Sequence, residues 1–189
     1  MSIVNKDALK IGITIHLRDE NQSVWENSVH QTAMFLSMAL NNIPFVKKVV
    51  FVNCGAVNSP TSGVLKFSTG EVIAPQDAHD ALDLVIEVGA QLPLEWIQNF
   101  SARGGKVVAY RLTNDLVIDF ERMAFALPAS LTFQGAKYDA IWTTSSFEQV
   151  CKSYYKHGFG AAVSSVPSIW SPLLVNGYSE ELSTEFAYK

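Results

Sequence analysis

Short apolar runs alternate with amphipathic helical windows along this chain, and this alternation constrains the fold more than any other feature. The clearest runs, rich in Val and Ile, cover residues 11–15, 48–53, 82–89, 106–112, 138–143 and 161–166. Strands that are apolar on both faces and separated by helical crossovers are typical of parallel sheets covered on both sides. The sequence therefore predicts an α/β fold, a Rossmann-like doubly wound, mostly parallel sheet with helices on both faces.

Sequence signals for helix ends place the helices between these strands. Ser23-x-x-Glu26 can form a capping box, which predicts a first helix running to about Asn41. A similar pattern beginning at Ser146 predicts a last helix that ends at Gly158 and turns Phe147, Val150, Cys151 and Tyr154 inward. Between residues 56 and 75 the pattern is blurred, and only 71–73 indicates a short strand.

Length and composition predict one domain with a substantial core. The chain has 189 residues, of which 48% are hydrophobic and 17% charged, so it is too apolar to be disordered. We assign residues 1–170 to the Rossmann-like domain and 171–189, which show no clear period, to a linker or packed extension. The net charge of −4 argues against a nucleic-acid partner, because phosphate binding favours a basic face.

Several absences bear on location. No apolar run approaches the roughly eighteen residues that span a bilayer, and residues 1–10 contain no signal-peptide core. Cys54 and Cys151 lie far apart, outside any CxxC pattern, as expected of thiols in a reducing compartment. We predict a cytoplasmic protein without a transmembrane segment, and peripheral association with the inner membrane stays open.

The loop after the first strand contains the densest group of polar and aromatic side chains. Its sequence is HLRDENQSVWENSVHQ, from His16 to Gln31. In open parallel sheets, ligands bind at the carboxyl ends of the strands, where this loop is expected to lie. The candidate ligand-binding residues in it are His16, Arg18, Asp19, Asn21 and Trp25.

The ends of the other strands carry further polar groups. Because parallel strands end at one edge, these groups are expected to converge with the first loop and to hold a polyhydroxyl or phosphorylated ligand. The candidates are Asn53, Glu87, Arg111, Asn114 and Thr144.

The common cofactor signatures are missing from the sequence. No GxGxxG follows Gly12, which argues against a nicotinamide-dependent oxidoreductase, and there is no GxxxxGK[ST], GxSxG or DxD-type metal motif. We therefore predict no cofactor and no metal site.

Four segments carry a resemblance to a known family. They are IGITIHLRDENQSVWENSVHQTAMFLSMAL, LDLVIEVGAQL, RGGKVVAYRLTNDLVIDFERMAF and YDAIWTTSSFE. Between Ile11 and Trp170 the chain resembles an uncharacterised bacterial family related to GT-B glycosyltransferases, most specifically at RLTND…FER. The resemblance implies two facing Rossmann-like lobes, of which this chain would be the amino-terminal, acceptor-binding one.

The expected function follows from that resemblance. It implies the acceptor-side lobe of a metal-independent glycosyltransferase in bacterial surface glycan synthesis, with a glycan or glycolipid acceptor as partner. Nucleotide sugar would bind only through a second lobe, so the isolated chain is expected to be inactive. The alternative is a stand-alone Rossmann-like ligand-binding or regulatory module without catalysis.

Each candidate residue has a structural alternative. His16 can act as a general base, as histidines often do, or can instead hydrogen-bond its own loop. Arg18 and Arg111 can bind sugar hydroxyls or phosphate, or can pair with nearby carboxylates. Trp25 can stack on a sugar or pack on the first helix, and Asn114 can simply cap a helix.

Overall fold

A computed structural model describes residues 8–19, 22, 26–57, 71–112, 115–125 and 136–169 of the chain. In these ranges seven strands form one sheet: β1 (Leu9–Ile15), β2 (Val46–Asn53), β3 (Glu71–Ile73), β4 (Leu84–Glu87), β5 (Lys106–Arg111), β6 (Ala140–Thr144) and β7 (Ala162–Val166). The helices there are α1 (Ser28–Asn41), α2 (Pro75–Ala81), α3 (Leu94–Ala102), α4 (Asp115–Ala124) and α5 (Glu148–Phe159).

All neighbouring strands of the sheet are parallel, in the order β3-β2-β1-β4-β5-β6-β7. β1 lies between β2 and β4, with Ile13 opposite both Phe51 and Ile86. The chain therefore adds β2 and β3 on one side of β1, and then β4 to β7 on the other side. This confirms the predicted doubly wound α/β fold and puts its topological switch point between β1 and β4.

The two faces of the sheet are buried in separate hydrophobic clusters. Successive strand residues point to opposite faces, so Val85 belongs to one cluster and its neighbour Ile86 to the other. Phe100 of α3 packs in the first cluster and Leu36 of α1 in the second. Burial on both faces explains why the strands lack the apolar–polar alternation of half-exposed strands.

Helix starts differ from the sequence prediction. α1 begins after Asn27, whose side-chain oxygen accepts a hydrogen bond from the Val29 amide at 2.8 Å. The predicted cap, Ser23, lies outside the described residues, and Glu26 precedes the helix. α2 was not predicted; Pro75 stands in its first turn, and its carbonyl accepts from Trp96 Nε1 of α3 at 2.8 Å.

The prediction for α5 was wrong at both ends and for one of the four residues on its inner face. Its N-cap position is occupied by Phe147, which makes no side-chain capping bond, and the helix ends at Gly160 instead of Gly158. Gly160 adopts φ +64°, a left-handed conformation that glycine accommodates without strain. Tyr155 is buried beside Cys151, whereas Val150 is exposed.

Two further predictions concern the chain as a whole. Within the described ranges, every helix is too short or too polar to traverse a lipid bilayer. The predicted boundary at residue 170 and the tail 171–189 lie outside those ranges, so the domain assignment stays a prediction.

Candidate functional site

A cleft of about 470 Å³ opens at the carboxyl edge of the sheet, at the switch point. Strands β1, β2, β4 and β5 end at it, and α4 forms one wall. The strand ends contribute His16, Cys54, Glu87 and Arg111, together with the loop 88–91. Helix α4 contributes Asp115, Ile118, Asp119 and Arg122.

The Thr14 hydroxyl of β1 binds the loop that follows β4, which forms part of the rim of the cleft. Thr14 Oγ1 donates to the Ala90 carbonyl at 2.6 Å and accepts from the amides of Val88 at 3.0 Å and Ala90 at 3.3 Å. The Gly89 amide donates to the Thr14 carbonyl at 3.0 Å. A threonine hydroxyl has one donor and two acceptor positions, and all three are used here. We refer to residues 88–90 as the β4 loop.

Glu87 is a buried carboxyl at the floor of the cleft. Its side chain is 3% exposed, Oε1 accepts from the Leu92 amide at 2.7 Å, and Oε2 accepts from the Tyr138 hydroxyl at 2.8 Å. Burial raises the pKa of Glu87, although these donors and the nearby Arg111 act in the opposite direction. The protonated carboxyl is thus favoured over a wider pH range than in water.

Arg111 is the most unusual group in the cleft. It is 6% exposed, and its Nε and Nη2 atoms have no hydrogen-bond partner among the described residues. Burial alone lowers the pKa of Arg111, but Tyr138, Asp119 and Glu87 raise it overall, so the guanidinium stays charged. A buried cation with two open donors is costly, and natural structures normally satisfy such groups.

Helix α4 turns its polar side toward the cleft. Asp115 Oδ2 accepts from the Leu112 amide at 2.7 Å, and Asp119, which is 3% exposed, accepts from the Tyr155 hydroxyl at 3.4 Å. Burial raises the pKa of both carboxyl groups, against the opposing effect of Arg111. Meanwhile Val117 and Phe120 are 57% and 55% exposed on the outer side of the helix.

Three of the predicted residues line this cleft. His16, Glu87 and Arg111 do so from the ends of β1, β4 and β5. The His16 side chain is exposed, and its backbone carbonyl faces Nε2 of His30 at 3.0 Å. His30 is buried.

Asn53 is buried and holds two loops together instead of lining the cleft. Its Oδ1 accepts from the amides of Leu17 and Gly55, both at 3.0 Å, and its Nδ2 donates to the Val57 carbonyl. These bonds use the amide group within the protein. Asn53 therefore positions the loops that follow β1 and β2.

The remaining predicted residues lie elsewhere. Arg18 and Asp19 are exposed and do not line the cleft, and Arg18 Nη2 is 3.7 Å from Glu26 Oε2. Thr144 lines a second cavity of about 320 Å³, which adjoins the cleft through the shared Asp115. Asn21, Trp25 and Asn114 lie outside the described residues.

Three charged residues of the cleft, Asp115, Asp119 and Arg122, were not predicted as ligand-binding. Asp119 and Arg122 follow Asp115 by four and seven positions, a spacing that puts all three on one helix face and that the sequence could have revealed. Cys54 also lines the cleft, but burial, aided by Glu87, raises the pKa of its thiol to about 12. The thiol is therefore protonated near neutral pH, which is unfavourable for a nucleophile.

The described residues contain no group of three or more His, Cys, Asp or Glu side chains arranged to hold a metal ion. Glu87, Asp115 and Asp119 lie around one guanidinium, and the cleft pairs acidic groups with a cation.

Comparison with known proteins gives one family. A family model described as "Protein of unknown function (DUF2827)" matches residues 11–189. No curated protein matches the sequence significantly. Among solved structures, the chain is similar to an AraC family transcriptional regulator from Pseudomonas putida, with 12% identity and a TM-score of 0.35 over 84% of this chain and 77% of that one. A likeness this weak carries no argument about function.

Proposed function

Because the chain belongs to the DUF2827 family, whose function is unknown, we propose its function from the chemistry of the cleft. We propose that it is the acceptor-side lobe of a metal-independent glycosyltransferase of the GT-B type, acting in bacterial surface glycan synthesis. The cleft would bind a glycan or glycolipid acceptor. The observation that carries the proposal is Arg111, buried at the switch point with two donors open.

The mixture of groups in the cleft suits a ligand with several hydroxyls. A sugar hydroxyl both donates and accepts, so it can pair with an arginine donor on one side and a carboxylate acceptor on another. Arg111 offers donors, and Asp115 and Asp119 offer acceptors, within the same cavity. A purely apolar ligand would leave the two open donors of Arg111 unsatisfied.

The charge balance in the cleft favours an acceptor over a nucleotide diphosphate. Three carboxyl groups, Glu87, Asp115 and Asp119, line it against two arginines. Diphosphate recognition normally uses an excess of positive charge or a glycine-rich turn at a helix N-terminus. In the proposed enzyme, nucleotide sugar is therefore bound by another lobe.

His16 is the proposed general base. It stands at the mouth of the cleft, at the end of β1, with an exposed ring. Transfer of a glycosyl group requires removal of a proton from the attacking acceptor hydroxyl, and histidine performs this near neutral pH. His16→Ala is then expected to weaken acceptor binding and to abolish transfer in an enzyme that also holds the donor.

Acceptor binding tests the proposal directly. The full chain would be applied to an array of bacterial surface oligosaccharides, and hits would be measured by calorimetry. We expect Arg111→Gln to weaken binding at least tenfold, because it removes the charge and the donor fork. Arg18→Gln, an arginine outside the cleft, is the matched control and should bind as the wild type does.

Two results would contradict the proposal. One is that Arg111→Gln binds glycans as tightly as the wild type does and also unfolds at the wild-type temperature. The other is the absence of any carbohydrate binding by a folded wild-type chain that instead binds a non-carbohydrate metabolite at Arg111.

A further inference from the structure

We propose that the acceptor carries a carboxylate, and that Arg111 binds this carboxylate through the edge formed by Nε and Nη2. This inference rests on the proposed function and narrows its substrate class to acidic sugars, such as uronic acids.

The open donors of Arg111 lie on the same edge of the guanidinium. Their N–H bonds run side by side, and this edge matches the two oxygens of one carboxylate in a bidentate pair. A single hydroxyl would fill only one of the two positions. Because both Nε and Nη2 lack partners among the described residues, the geometry favours a ligand group with two acceptor oxygens.

The charges around Arg111 favour some ligand groups with two acceptor oxygens over others. Asp115 and Asp119 line the same cleft and raise the pKa of Arg111 electrostatically, so they compete with an incoming anion for its charge. A phosphate monoester, with close to two negative charges near neutral pH, feels both the attraction of the arginines and the repulsion of the carboxyl groups about twice as strongly as a carboxylate does. Because three carboxyl groups and two arginines line the cleft, the second negative charge gains no net attraction. A singly charged carboxylate therefore fits this cleft better.

Binding requires Arg111 to turn. Its side chain lines the cleft, but Nε and Nη2 are closed off from solvent in the ligand-free protein. The proposal therefore requires a rotation about the outer bonds of the side chain that brings this edge to the cavity. The group that gains most from this movement is the one that fills both donors at once.

The experiment compares acids with their amides. Methyl glycosides of several uronic acids, each paired with its primary amide, would be titrated into ¹⁵N-labelled full-length chain. The Nε–H resonance of Arg111 would be assigned by its loss in Arg111→Lys. We expect at least one acid to bind ten times more tightly than its amide and to shift this resonance.

Arg111→Lys keeps the charge but loses the fork, so the preference for acid over amide should fall to about twofold or less. Arg18→Lys is the matched control and should retain the wild-type preference. If Arg111→Lys does not fold, the acid–amide comparison in the wild type still decides the proposal.

The outcomes separate the two proposals. Equal binding of acid and amide overturns the carboxylate inference and leaves the acceptor proposal standing. Tighter binding of inorganic phosphate than of any acid at Arg111 also overturns the inference. Binding of acetate as tightly as any uronic acid supports the carboxylate inference but contradicts a carbohydrate acceptor.

Discussion

Glu87 shows how one buried residue makes stability depend on pH. Burial raises its pKa, so the folded protein holds a proton at pH values where the unfolded chain has already released it. Stability from this group is therefore greatest below the ordinary glutamate pKa, about 4.3, and falls as pH rises toward the raised value. Asp115 and Asp119 act with the same sign.

We expect Glu87→Gln to remove this contribution while keeping an oxygen for the Leu92 amide. The variant should gain stability relative to the wild type as pH rises above about 4.3, by up to about 1.4 kcal/mol for each pH unit until the raised pKa is passed. Urea unfolding from pH 4 to pH 8 measures the difference. Glu95→Gln, at an exposed position of α3, is the control for loss of a glutamate. A stability difference between Glu87→Gln and the wild type that stays constant with pH would refute the prediction.

At the scale of elements, the hydrogen bonds that attach the β4 loop to β1 depend largely on the Thr14 hydroxyl. Thr14→Val keeps the shape but leaves the Val88 and Ala90 amides without this acceptor. We expect a loss of about 1–3 kcal/mol in the free energy of unfolding, because unsatisfied buried donors carry a desolvation penalty.

Thr14→Ser is the matched control, since it keeps the hydroxyl and removes only a buried methyl group. Hydrogen exchange of the two amides should accelerate in Thr14→Val and stay close to wild type in Thr14→Ser. Equal protection in the two variants would show that the hydroxyl does not hold the loop.

Elements were easier to predict from sequence than their ends. The strands appear as Val- and Ile-rich runs because the sheet is buried on both faces, and that burial depends little on the details of packing. Helix ends depend on local competition: Asn27 caps α1 although Ser23 also fits a capping pattern, and Gly160 adopts the left-handed turn although Gly158 precedes it. α2 follows a blurred region and is too short to show a period.

At the scale of the molecule, parallel topology explains why part of the cleft was predictable. It gathers the ends of β1, β4 and β5 at one edge, so His16, Glu87 and Arg111 meet although they are distant in sequence. Position after a strand does not fix where a side chain turns, however. Asn53 turns inward to bond two loops, and this depends on packing that the sequence alone does not display. The spacing of Asp115 and Asp119 shows that they share a helix face, but not that this face lines the cleft.

Gly12 is a position in β1 that has no room for a side chain. A Cβ there would lie 2.5 Å from Leu82 Cδ1 and 2.8 Å from Val52 Cγ2. We expect Gly12→Ala to cost about 1–3 kcal/mol, as overpacking of a core does, and to lower Tm by about 2–4 °C per kcal/mol. Calorimetric melting measures both.

A second substitution tests whether crowding is the cause. Leu82→Val removes the nearest methyl group, so the double variant Gly12→Ala/Leu82→Val should be more stable than the sum of the two single effects. Simple additivity would indicate that the cost arises from another neighbour, such as Val52.

Helix α4 turns a carboxyl group inward and apolar side chains outward, and this arrangement affects its local stability. Among its described side chains the only fully buried one is Asp119, a carboxyl, whereas Val117 and Phe120 face outward. Few apolar anchors secure this wall, and segments of that kind open at the low end of a protein's range of local stabilities. We therefore expect α4, the helix beside Arg111, to open more readily than the seven-stranded sheet, whose two faces are buried.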